Sequence, residues 1–185
     1  MKAFTVKEIH LVSLFLLLLS CLLMQQSAMA SPFGVGVFGE DVPFGSATSI
    51  AISLGSAPNM TLMSSGQNFS GNASQTVTVA STDVIGYDLY IKGTSSTSMV
   101  NGSYSIAASG NSSPAALSVN SWGYNTTGST TNFKGMTLSD ASINSRTGPF
   151  TDGDVTTVTY GALIDITKGD GTYTVGVTYT AVGQT

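Results

Sequence analysis

From Phe33 onward the chain repeats one pattern, in which apolar positions alternate with Thr, Ser or Gly. The clearest stretch is Gly171 to Ala181, where Tyr173, Val175, Val177 and Tyr179 alternate with Thr and Gly. A period of two places successive side chains on opposite faces of a strand, so this stretch reads as a strand with one buried and one solvated face. The same alternation runs through Phe33 to Phe38, Ser46 to Leu54, Gln75 to Ala80 and Tyr87 to Lys92. Further candidate strands are Met60 to Met63, Ser103 to Ala108, Ala116 to Trp122, Phe133 to Leu138 and Val155 to Thr167. Clusters such as Gly93 to Ser98, Ser109 to Ser113 and Asn125 to Asn132 carry turn chemistry between them. Short strands without a helical stripe predict an all-β fold, a single antiparallel β-sandwich of the immunoglobulin-like or jelly-roll kind over residues 46–185. The Lys168-Gly-Asp-Gly171 segment predicts a hairpin that pairs Val155–Thr167 with Thr172–Val182.

The first thirty residues follow a different rule. Lys2 and Lys7 precede the apolar run Leu11 to Met24, and Ala28-Met29-Ala30 supplies small residues where a signal peptidase cuts. Residues 1–30 are therefore read as a cleaved signal peptide, with the mature chain starting at Ser31. The run is too short to span a bilayer as a helix, for which roughly 20 residues are needed. Leu18-Leu19-Ser20-Cys21 partly resembles a lipoprotein cleavage box, so lipidation of Cys21 is the rival reading, although the apolar run continues past it. The expected location is extracellular or on the cell surface, with no membrane contact after cleavage.

Cleavage changes the available chemistry. His10 and Cys21, the single His and the single Cys, leave with the leader, and the remaining 155 residues carry 9 acidic against 4 basic side chains. No disulfide can form, no His or Cys is left for a nucleophile's base or a zinc site, and no catalytic residues or cofactors are expected. Carboxylates alone remain for acid–base work, and a two-carboxylate glycosidase needs aromatic sugar platforms that a chain with one Trp lacks. The acidic balance argues against nucleic acid or an anionic membrane as partner. Asp152-Gly-Asp154 and Lys168-Gly-Asp170-Gly171 offer oxygen ligands, but too few for a calcium loop, and turn chemistry explains both. No metal site is expected.

Trp122-Gly-Tyr-Asn-Thr126, Phe133-Lys-Gly-Met136, Val158-Thr-Tyr-Gly161 and Gly171-Thr-Tyr with Val177-Thr-Tyr-Thr180 resemble the C-terminal halves of secreted β-sandwich surface proteins of prokaryotes, pilin-like ones among them. The closing strand is similar to the last strand of spore-coat-U-like and chaperone–usher-type pilins. The resemblance covers about residues 86–182 and implies a structural subunit of a surface filament, pilus or coat, whose partners are further copies of itself. Many such pilins carry a disulfide, which this chain cannot form.

Two function classes follow. In the first, Phe33, Val35 and Val37 form the apolar face of a donor strand, residues 31–45 serve as strand and linker, and the segment completes the sheet of a neighbouring copy. The competing reading makes the same segment the domain's own first strand. In the second class the protein is a monomeric adhesin or glycan-binding module, with Trp122 and Tyr124 as the aromatic faces that stack on sugar; the plainer role for both is core packing. Asn-X-Ser/Thr sequons at Asn59, Asn68, Asn72, Asn101, Asn111 and Asn125 are candidate N-glycosylation sites.

Overall fold

The computed structural model describes residues 49–184. Among them there is no helix, and the chain forms a sandwich-like all-β fold. In chain order the strands are β1 (Ser49–Leu54), β2 (Met63–Ser65), β3 (Asn68–Thr82), β4 (Gly86–Gly93), β5 (Met99–Asn101), β6 (Tyr104–Ala108), β7 (Ala115–Ala116), β8 (Ser121–Asn125), β9 (Asn132–Phe133), β10 (Ala141–Thr147), β11 (Phe150–Ile164) and β12 (Val177–Gln184). The larger sheet runs β1-β3-β11-β8-β6-β5, with β2 also on β3, and the smaller runs β10-β4-β12. A short β7-β9 ribbon stands apart. Pairing is antiparallel throughout except for the brief β6–β8 contact.

The core lies where the alternating apolar faces meet. Val77 and Val79 of β3, Val158 and Tyr160 of β11, Trp122 and Tyr124 of β8 and Ile106 of β6 pack against Tyr87, Leu89 and Ile91 of β4. From Tyr87 on, every second residue of β4 is buried, the pattern that a half-covered strand requires. Phe150 meets the Tyr87 ring edge-on at 5.8 Å, and Trp122 lies 6.3 Å from Tyr160.

The predicted hairpin between the last two long strands does not form. Val155–Thr167 lies mostly in β11, which pairs with β3 and β8, whereas β12 pairs with β4 in the other sheet. The segment between Ile164 and Val177 is a crossover, and the two strands face each other through the core: the hydroxyls of Tyr160 and Tyr179 are hydrogen-bonded across it. Alternation reports which side of a strand is buried and says nothing of which strand lies beside it. Ala116 to Trp122 is likewise not one strand. It is broken at Asn120, which takes a left-handed conformation (φ 64°) and exchanges two hydrogen bonds with Asp165. Of Phe133 to Leu138 only the first residue is in a strand, and Met60 to Met63 contributes only Met63. Strands β5 and β10 lay outside the expected set; β10, Ala-Ser-Ile-Asn-Ser-Arg-Thr, is a polar edge strand with an irregularity between Ser142 and Asn144.

Strand β8 is buried at all five positions, because its outer face is covered as well. Gly123 and Gly161 sit opposite each other on that face and leave a slot that the Phe133 ring fills. A methyl group at Gly161 would run into that ring, which is only 3% exposed and has nowhere to move. Gly161→Ala is therefore expected to destabilise the domain by about 1–3 kcal/mol, as overpacking does. Chemical denaturation should show the loss, and adding Phe133→Leu should recover part of it.

The hydroxyl layer between the sheets sets a pH dependence. Burial raises the hydroxyl pKa values of Tyr124, Tyr160 and Tyr179, and burial together with the hydrogen bond to Asp154 pushes Tyr87 up to about 12. A tyrosine whose pKa is higher in the fold than in the unfolded chain stabilises the fold fully below the unfolded value near 10 and loses that contribution as pH rises through the folded value. Stability should hold up to about pH 10 and fall between about 10 and 12. Tyrosinate absorbance from these four residues should appear together with unfolding, and its appearance in a still-folded protein would contradict the assignment.

Candidate functional site

Of the carboxylates in the two Gly-Asp segments, Asp154 is tied down by neighbours, as are Asp140, Asp165 and Asp88 elsewhere in the fold. Asp154 accepts a 2.6 Å hydrogen bond from the Tyr87 hydroxyl and pairs with Arg146 Nε at 3.1 Å, while Arg146 stacks 5.5 Å above the Phe150 ring. Asp140 pairs with Lys92 at 3.1 Å. Asp165 accepts hydrogen bonds from Thr167 and Asn120; those from Thr167 hold its carboxyl below the usual range. Asp88 is held low by Ser145 and Gln184. The oxygens of Asp154 are thus engaged with a cation and a phenol, and among the described residues no three His, Cys, Asp or Glu side chains gather as metal ligands.

The aromatic candidates for sugar stacking are overturned by burial. Trp122 is 0% and Tyr124 3% exposed, so neither ring offers a face to a ligand. Trp122 also donates its Nε1–H to the Thr97 carbonyl at 2.9 Å, which satisfies the indole inside the core. The reason lies in their shared parity on β8: residues 122 and 124 both point inward, and the loop after them folds back over the other face.

The sequons separate into two groups. Asn125 is 2% exposed; its amide donates to the Ser129 and Asn132 carbonyls at 2.8 and 2.9 Å, and its Oδ1 accepts from the Thr127 and Ser129 backbones. It organises the 125–132 loop, and its amide nitrogen is not available to carry a glycan in the folded chain. Asn111 likewise donates to three carbonyls, and Asn101 to that of Asp170. Asn59 and Asn72 are exposed and Asn68 half-buried.

The feature with clear functional geometry is at one edge of the sandwich. Ile50, Ile52 and Leu54 of β1 stand opposite Ser81, Val79 and Val77, so they lie on the core-facing side of the larger sheet. Their partners on β3 are at most 1% exposed, yet Ile50, Ile52 and Leu54 are 37%, 40% and 53% exposed. The smaller sheet ends with β12, which approaches β1 but leaves this face uncovered. Among the described residues both strands are sheet edges there. Thr94 N donates to the Gly176 carbonyl and Ile85 N to that of Gln184, so even-numbered residues turn their backbone groups toward β4. Val177, Tyr179, Ala181 and Gly183 consequently turn theirs toward the free edge. The result, among the described residues, is an exposed apolar face, or seam, beside two strand edges without a further strand. Phe33, Val35 and Val37 and the rest of residues 31–45 lie outside the described residues, as does the signal segment.

In the sequence β1 resembles any half-buried strand; that its inward face has no cover depends on the smaller sheet having three strands, and no local signal carries that. The Asn125 network makes a separate, local prediction. Asn125→Ala removes two donors and an acceptor from buried partners and should cost about 3 kcal/mol, readable as a lowered denaturation midpoint; an unchanged midpoint would mean that water replaces the amide. Compared with protein-family models, curated proteins and solved structures, the chain has no match.

Proposed function

We propose that the protein is an exported structural subunit of a cell-surface filament, pilus or coat, in which copies join head to tail by strand donation. The observation that carries this reading is the exposed inward face of Ile50, Ile52 and Leu54 beside the unpaired edge of β12. A strand added to that edge extends the smaller sheet over β1 and offers both backbone hydrogen bonds and an apolar face. The Phe33-Gly-Val-Gly-Val-Phe38 segment has the composition for it: Phe33, Val35 and Val37 fall on one face, and Gly34 and Gly36 leave the other slim. Covering the half-exposed parts of Ile50, Ile52 and Leu54 is worth about 1 kcal/mol each, before the donor's own side chains are counted. The leader-like residues 1–30 support export, and the hydroxyl-rich, weakly charged remainder suits a surface polymer. Within the sandwich-like fold, the finer immunoglobulin-like or jelly-roll assignment belongs to this same reading.

The linker, Gly39 to Gly45, joins the segment to the same copy's domain, so a copy's own segment competes for its own seam. Deleting Ser31 to Phe38 separates the cases. Loss of polymers in electron micrographs with a folded monomer left behind supports donation between copies; unfolding of the monomer indicates that the strand serves its own domain; unchanged polymers would reject a role for the segment altogether. Ile52→Asp, placed in the receiving seam, should cap growing chains when mixed with the unaltered protein and shorten them.

A further inference from the structure

The outer face of the larger sheet carries a second feature, independent of how copies assemble. Between the β2–β3 hairpin and the β7–β9 ribbon lies an open cleft of about 470 Å³. Its aliphatic lining comes from Met63, Leu117 and Leu163, and its polar lining from Thr61, Ser70, Asn72, Thr130 and Thr131. No ionisable side chain contributes. The side chains of Thr61, Ser70, Asn72, Thr130 and Thr131 make no hydrogen bond within the described residues. Five polar side chains with unused donors and acceptors thus surround an apolar floor in a site without charge.

We infer that this cleft binds a neutral saccharide. A pyranose presents aliphatic C–H groups on its faces and hydroxyls around its edge, which matches aliphatic side chains below and hydroxyl and amide groups around them. The absence of charge gives no attraction for sulfated, phosphorylated or uronic-acid sugars. The site replaces the buried Trp122 and Tyr124 as the place where this chain meets sugar. The saccharide has two possible sources: a polysaccharide of the surroundings, or a glycan carried on Asn72, which lines the cleft and begins the sequon Asn72-Ala73-Ser74.

The test uses the full secreted protein made in a host without N-glycosylation, applied to an array of neutral and anionic oligosaccharides and followed by hydrogen-exchange mass spectrometry with the ligand it selects. The expected result is selection of neutral glycans, insensitive to salt, with protection confined to the backbone around Ser70–Asn72 and Thr130–Thr131. The pair Ser70→Ala and Thr131→Val should weaken binding at least tenfold with the melting temperature unchanged. Binding only to anionic glycans, protection elsewhere, or no saturable binding at all would overturn the proposal. Mass spectrometry of Asn72 in material from the source cell separates the two sources. A glycan found there, with array binding lost in that material and restored by Ser74→Ala, which removes the sequon and leaves Asn72 in place, assigns the attached sugar; an unmodified Asn72 with binding intact assigns the external one.

Discussion

The fold rests on the packing of a narrow sheet onto a wide one. Strands β10, β4 and β12 must cover the inward faces of a sheet with six strands in line, in a chain without disulfides. Where they succeed, Val77, Val79, Val158 and Leu89 are completely buried. The far end of the wide sheet is closed by the approach to β12, since Thr174 pairs with Val100 of β5 in both directions. At the opposite end, among the described residues, no equivalent strand covers β1. The mismatch in width is thus both the source of the core and the origin of the seam.

Much of this architecture is legible in the alternation itself. Tyr87, Leu89 and Ile91 are read as one buried face and are one; Tyr173, Val175, Val177 and Tyr179 likewise pack against the core. What alternation cannot encode is partnership. A strand of β12's pattern is equally content beside β11 or across from it, and the crossover from Ile164 to Val177 decides the matter through long-range packing. The same blindness applied to β10, whose polar composition hides its place on β4, whereas Trp122 and Tyr124 take the core-packing role that was the plainer expectation. The seam is the extreme case: Ile50, Ile52 and Leu54 are as apolar as any core strand, and only the count of strands opposite leaves them uncovered.

Hydroxyl groups do in this chain what charges do in many others. Tyr87, Asn144 and Thr156 form a polar contact between the sheets, with Asn144 donating to both hydroxyls, and Tyr179 reaches Gln75 as well as Tyr160. Among the described residues no buried side-chain polar atom is left without a partner. A core with satisfied hydroxyls is specified by geometry, because each such group accepts only a few arrangements once it is removed from water. The glycine pair at 123 and 161 serves the same end by admitting Phe133 and so fastening an outer layer over β8.

The order of strands in the smaller sheet also constrains how the molecule is made. Its central strand, β4, is synthesised early, but both of its partners, β10 and β12, come much later in the sequence. Until β10 and β12 are available, Leu89 and Ile91 have no sheet to belong to, and the core cannot close. Such long-range pairing makes for slow folding. A polypeptide built this way keeps the apolar face of its central small-sheet strand without neighbours for most of the time it takes to make the domain, so the late strands act as the latch of the core.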